Sequence, residues 1–238
     1  MQQLNKPIGI VSFIVILFTC AALIISFKVE QDKSNIPPLP QLHGQYLLNP
    51  VTLPTFNLVN QLHQPFSNSD LMGDWHLLSY GYLNCPDICP NTLLILRSLH
   101  AELTTAMNGS KSNDITLTAP KIIFYSVDQL RDRPKNLQAY LSYFNDEFIG
   151  LTSPTKDTTN QTLARGLGIK SKTEYDQNSG AQLVSHDVAL FLINPKGELQ
   201  AILKPYASSD DNLPYFSSAN LLADVLKTMK FYQQINRN

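Results

Sequence analysis

Cysteine is scarce in this chain, with three residues among 238. That is too few for a disulfide scaffold. Charge is also sparse. Charged residues make up 16% of the sequence, below the usual quarter, and eighteen Lys+Arg almost cancel nineteen Asp+Glu to leave a net charge of -1. This balance argues against a nucleic-acid binder that works through a broad basic field. Ten glycines and fifteen prolines exclude a collagen-like or Gly-rich low-complexity chain. No internal repeat is visible. What is present is apolar: hydrophobic residues reach 43%, ample for a packed core. At roughly 150 residues per domain, the length allows one domain with extensions or two small ones.

The first extension is hydrophobic. Ile8 to Phe27 carries no charged residue over twenty positions. At about 1.5 Å per residue such a helix reaches roughly 30 Å, the hydrocarbon thickness of a bilayer. A cleaved signal peptide is the rival, but its apolar region runs to about 7–15 residues and ends in small side chains. This run is longer and ends in Ile-Ile-Ser-Phe, so an uncleaved anchor is expected. Cys20 lies inside it and reads as a small apolar residue. The expected organisation is a cytoplasmic tail over 1–7, a transmembrane anchor over 8–27, a Pro-rich linker over 28–48 and a globular domain over 49–238. Pro37, Pro38 and Pro40 make the linker extended and stiff.

Within the globular part, apolar runs alternate with helical patterns. Strands are expected over 75–83, 121–127, 188–194 and 198–203, the last two joined by a Pro195-Lys196-Gly197 turn. Helices are expected over 91–107, 135–144, 161–167 and 221–233, from apolar residues spaced by three and four. Residues 111–119 read as a polar insertion. The alternation points to an α/β sandwich.

The chemistry concentrates at GYLNCPDICP, where Cys85 and Cys89 lie four residues apart at a strand-to-helix junction. If both sit on helix, they share one face one turn apart, about 6 Å along the axis. That separation suits a disulfide, and it equally lets both sulfurs reach one metal ion. A helix start favours thiolate, which is the nucleophilic and the metal-binding form. A static disulfide or two buried free thiols remain alternatives to redox or metal chemistry. A pair this close closes only a small loop and makes a weak staple.

This segment resembles the signature of the Sco (SenC) family of copper-binding proteins. The likeness continues, in order, through residues 54–82, through FYSVDQLRDRPKNLQAYLSYF, through FIGLTSPTKD and through VSHDVALFLINPKGEL. The resemblance implies a thioredoxin-like α/β fold behind one N-terminal transmembrane helix. It also implies copper, as Cu(I) or Cu(II), held by Cys85, Cys89 and His186, the last matching the family's ligand histidine. Asp128 matches an acidic position and is a candidate for tuning the site from behind the ligands; a loop cap at a strand end is its alternative reading. Asp132 reads as a turn or helix-cap residue before Pro134. The sequence departs from the family pattern at Gln129, Ser185 and Asp187.

Of the five histidines, His43, His63, His76 and His100 read as ordinary surface or core residues. His186 stands apart because it directly precedes the strand expected from Val188. Two sulfurs and one imidazole favour soft or borderline metals. The resemblance implies a metallochaperone that assists the copper centre of cytochrome c oxidase, with a subunit II-like protein as recipient. The alternative is a thiol–disulfide oxidoreductase that keeps the cysteines of that partner reduced. His186 favours the carrier, because a pure dithiol exchanger does not need it. A peroxiredoxin-like site is disfavoured, since Asn91 and Thr92 after Cys-Pro do not supply the backing groups of a single reactive cysteine. The expected location is a bacterial inner membrane, crossed once, with the domain facing the periplasm, where a dithiol can cycle between redox forms.

Overall fold

The computed structural model describes residues 6–33, 37–109, 118–155, 161–175, 182–186, 188–207 and 214–236. Most of the polar insertion expected over 111–119, and the start of the tail expected over 1–7, lie outside the described residues. The chain divides into two compact units, one formed by Met1–Leu39 with Phe231–Asn238 and the other by Pro40–Lys230.

In the first unit, α1 (Lys6–Lys33) is a continuous helix of 28 residues. Its described side chains over residues 12–26 are all exposed. Counting only described residues, no helix is long and apolar enough to cross a membrane. The uncharged sequence of α1 extends beyond that stretch, from Ile8 to Phe27.

The second unit is built on one mixed sheet. Its strands are β1 (Gly44–Thr52), β2 (Asn57–Asn60), β3 (Pro65–Ser67), β4 (His76–Gly81), β5 (Lys121–Ser126), β6 (Ile149–Thr152), β9 (Leu190–Ile193) and β10 (Glu198–Leu203). A separate hairpin pairs β7 (Ser171–Tyr175) with β8 (Gln182–His186). The sheet order is β1-β10-β9-β4-β5-β6-β2-β3. Strands β4, β5 and β6 run parallel, and β9 returns antiparallel to β4. The crossovers between the parallel strands are α2 (Ile88–Gly109) and α3 (Pro134–Leu141); α4 (Thr162–Gly166) and α5 (Ser218–Ile235) follow. This is the α/β class expected from the alternation of patterns.

The elements follow from their residues. All six positions of β4 are buried, as in a central strand covered on both faces. In α2, Leu93, Leu96, Leu99 and Leu103 are fully buried at helical spacing and form its inward stripe. The β9–β10 turn uses Gly197 in the left-handed region, with φ of 73°, and closes through Asn194 N–H to the Glu198 carbonyl at 2.9 Å.

Two differences from the sequence expectations matter. The globular part begins earlier than residue 49. The His43 N–H donates to Asp224 on α5 at 2.9 Å, the His43 ring stacks on Tyr206 at 3.7 Å, and Lys227 donates to the Gln41 carbonyl at 3.1 Å. These ties draw residues 41–48, expected as spacer, into the fold, and β1 starts at Gly44. Its register on β10 shifts between Tyr46 and Val51, which breaks the alternation that a strand signal needs. The hairpin β7–β8 is the second difference: no strand is expected over Ser171–Tyr175 or Gln182–His186, where the sequence shows no alternating apolar pattern.

His76 is an exception inside the core. It is fully buried on β4, and neither ring nitrogen has a hydrogen-bond partner among the described residues. Burial, reinforced by Lys121, pushes its pKa from 6.5 down to about 4. The unfolded chain therefore takes up a proton between pH 6.5 and 4 that the folded chain refuses, so stability falls with pH across that window. Asp132 acts in the opposite direction, because burial lifts its pKa to about 6 and the folded state keeps its proton longer. In a His76→Phe variant only the histidine contribution disappears. The difference in unfolding free energy between wild type and variant should change by about 3 kcal/mol from pH 7 to pH 4, with the wild type losing more. Urea unfolding at both pH values measures this, and parallel losses would contradict the buried neutral histidine.

Candidate metal centre

The cysteines lie where the parallel strands end. In open α/β sheets, ligands gather outside the carboxyl ends of the strands. β4 ends at Gly81, and α2 starts at Ile88, three positions earlier than its apolar periodicity indicates. Cys89 therefore lies in the first helical turn, while Cys85 precedes the helix. The expectation that both cysteines share one helix face is corrected here. A turn brings them together instead: Cys85 N–H donates to the Tyr82 carbonyl at 3.2 Å. Asp87 receives the backbone N–H of Asn91 at 3.2 Å and its side-chain amide at 2.6 Å.

The two thiols hydrogen-bond to each other. Both cysteines are free, Cys89 buried and Cys85 half-buried. The helix start does not make Cys89 a thiolate. Its pKa is pushed far above the usual thiol range, first by the hydrogen bond with Cys85 and then by burial; the negative charge of Asp132 adds to this, and a backbone contact at Tyr82 opposes it. Room for the buried sulfur comes from Gly81. A Cβ there would lie 2.5 Å from Cys89 Sγ and 3.3 Å from the Phe124 ring. Beside the sulfur is a small cleft lined by Ser79, Cys89, Thr92, Phe124, Val188 and Ala189, among others.

The loop after β5 braces the cysteine loop from behind. Val127 N–H donates to the Gly81 carbonyl at 2.9 Å. Asp132, fully enclosed, accepts from Leu83 N–H at 3.0 Å and from the Ser126 hydroxyl at 2.7 Å. Of the two readings expected for it, the turn holds and the helix cap does not, since Arg133 occupies the cap position on α3. Asp128 is buried and ion-paired with Arg131. Its carbonyl accepts Asp132 N–H at 2.9 Å, so it supports the brace, and no described contact joins it to the cysteines.

The sheet register places the backbone near His186 at the same end. β9 runs antiparallel to β4, with Leu78 opposite Phe191, so the residues before Leu190 approach the end of β4. Val188 and Ala189 line the cleft beside Cys89. His186 itself ends β8, opposite Ser171, and its side chain lies outside the described residues. Among the described residues, no group of three or more His, Cys, Asp or Glu side chains is set to hold a metal ion. The described donor set is two sulfurs, which suits a soft metal and calls for a further ligand. The other histidines serve elsewhere: His43 against Tyr206, His100 3.6 Å from Glu147, and His63 in the β2–β3 turn.

Sequence reasoning missed Gly81 and Asp132. The signal for Gly81 was present, as a lone glycine between Tyr80 and Tyr82 in a bulky strand. The signal for Asp132 was not, because its partners Leu83 and Ser126 are distant or unremarkable in sequence. Gly81→Ala should force the Cys89 sulfur to move. The expected loss is about 1–3 kcal/mol of stability, as for other overpacked cores, together with markedly slower closure of a Cys85–Cys89 disulfide. Denaturant unfolding and timed thiol counting after oxidant measure both, and wild-type closure kinetics would contradict the packing argument.

The family model described as SCO1/SenC matches residues 45–214. A protein of Stutzerimonas stutzeri that carries "copper-binding protein" in its name is 31% identical over 195 residues, covering 81% of this chain and 86% of that protein. The mitochondrial SCO1 homolog 1 of Arabidopsis thaliana is 26% identical over 195 residues, covering 80% of this chain but 54% of its own length. The chain thus spans about half of that relative. The crystal structure of Arabidopsis thaliana ScoI with copper bound superposes with a TM-score of 0.60 at 22% identity, covering 74% of this chain and 97% of that one. The fold is shared with that structure. With the family model spanning most of the sheet and the cysteine loop, the chain belongs to the SCO1/SenC family.

Proposed function

We propose that this protein is a membrane-anchored copper carrier. Cys85, Cys89 and His186 hold one copper ion, and the copper passes to a subunit II-like protein during maturation of the copper centre of cytochrome c oxidase. The observation that carries this reading is the Cys85–Cys89 thiol pair at the end of β4, with the backbone leading from His186 into β9 lining the same cleft. Relatives that are named or solved as copper proteins support it. The anchor reading rests on the sequence alone, which carries no charged residue over the twenty positions from Ile8 to Phe27. The domain faces the periplasm from a single-pass position in a bacterial inner membrane.

The chain's own contribution is to present two thiols as one soft binding site. Both must lose their protons when copper binds, so affinity rises with pH. The raised Cys89 pKa means that its proton in particular must be displaced when the metal arrives. Asp132, committed to Leu83 and Ser126, holds the loop without competing for the metal.

A second reading is favoured by the unequal exposure of the two sulfurs. Half-buried Cys85 is placed to attack a partner disulfide as thiolate, releasing one partner sulfur and forming a mixed disulfide. Cys89, once deprotonated, then attacks Cys85, releases the second partner sulfur and closes the Cys85–Cys89 bond. Two electrons pass to the partner.

His186→Ala separates these readings. The variant should still form and reduce its Cys85–Cys89 disulfide, yet bind copper at least about tenfold more weakly, near 1.4 kcal/mol. Cys85→Ser or Cys89→Ser should lose both behaviours. Equilibrium competition with a copper chelator, alongside thiol titration of the same samples, measures the pair of outcomes. Unchanged copper affinity in His186→Ala would remove the histidine from the ligand set, and normal oxidase assembly by that variant would favour the reductase.

A further inference from the structure

Tyr140 stands near the end of α3 with a buried hydroxyl. That oxygen has no hydrogen-bond partner among the described residues. A buried hydroxyl without a partner is costly, and in native folds it calls for an explanation. Tyr125, another buried tyrosine, shows the usual solution: its hydroxyl accepts from Gln129 Nε2 at 2.8 Å.

The surroundings of Tyr140 point toward the cysteines. Its ring sits against Phe124, with centroids 6.1 Å apart, and edge-on to Phe144 at 5.3 Å. The Phe124 ring lines the cleft together with Cys89 and lies beside the point on Gly81 that the Cys89 sulfur approaches. Phe124 is thus the shared neighbour of the Tyr140 ring and of the Cys89 sulfur's seat. Burial raises the Tyr140 pKa well above its ordinary value, and Cys89, Cys85 and Asp132 raise it further whenever they carry negative charge. The hydroxyl therefore keeps its proton and remains a donor. Of those three groups, Asp132 accepts from Leu83 and Ser126 through Oδ2 and stays committed to that brace whether or not metal is bound. The sulfurs are the acceptors that gain strength when they become thiolates.

We infer that Tyr140 is a positioning residue whose hydroxyl donates a hydrogen bond to a thiolate of the Cys85–Cys89 pair when that pair holds metal. The inference rests on the copper-site reading above. Such an outer partner orients a ligand and draws electron density from its sulfur. It also supplies a use for the hydroxyl that the dithiol state leaves unpartnered. No proton or electron is transferred in the step; only the hydrogen bond forms.

The test is Cu(II) titration of the reduced full-length chain in detergent, read by the sulfur-to-copper charge-transfer absorption. Tyr140→Phe should fold at least as well as wild type in thermal unfolding. Its charge-transfer band should move to longer wavelength, because the sulfur lone pairs rise in energy without the donor. Its Cu(II) dissociation constant should rise about tenfold, the lower end of the cost of losing such a partner. Tyr125→Phe, which removes a buried phenol engaged elsewhere, should leave the band in place. A Tyr140→Phe band and affinity equal to wild type would overturn the inference while leaving the copper site standing. Equal shifts in both variants would overturn it as well, by assigning the effect to general repacking. Absence of the band from the wild-type protein would overturn the copper-site reading and this inference together.

Discussion

The Cys89 sulfur rests against a backbone position that has no side chain, Gly81, and much of the site follows from that contact. The sulfur is seated there by a helix that begins at Ile88, and the Cys85 thiol lies within hydrogen-bonding reach of it. The same seat buries Cys89 and holds it as a neutral thiol in the free protein. A pair of cysteines, one sheltered and one half-exposed, is ready to bind a soft cation as thiolates or to close on itself on loss of electrons. The two chemistries exclude each other at any moment, because sulfur joined to sulfur no longer offers thiolate.

Sheet topology supplies the rest. The parallel pair β4 and β5 delivers two loops to one end, the cysteine loop and the acidic loop that braces it through Asp132. The antiparallel strand β9 brings a third segment to the same end from a distant part of the sequence. No two of these segments are neighbours along the chain. Their convergence depends on strand order, so a displaced β4 would dismantle the site even with every side chain retained.

Much of this was legible in the sequence, and the reasons differ by element. The strands β4, β5, β9 and β10 are apolar runs bounded by turn residues, and α2 and α5 repeat apolar residues at three and four, so their local signals agree with their final state. The hairpin β7–β8 and strand β1 carry no such signal: the first has few apolar residues, with Leu183 and Val184 adjacent rather than alternating, and the second is interrupted by a register shift. The cysteines were identified by spacing and by resemblance, but their placement was misread, since both were expected on helix. Pro86 and Asp87 lie between them, and the loop they form hides the early start of α2. Asp132 was illegible because its role depends on Leu83 N–H, forty-nine positions earlier in the chain. Asp128, singled out on resemblance, proves to be tied to Arg131, a partner three residues away that the sequence offered openly.

The account's central claim is that one copper ion is held by both sulfurs and one imidazole. X-ray absorption at the copper edge, recorded on the reduced full-length protein loaded with a single equivalent of Cu(I), addresses this directly. The predicted copper environment contains two sulfur neighbours and one nitrogen neighbour of the imidazole type. An environment of nitrogen and oxygen alone, with no sulfur neighbour, would contradict it.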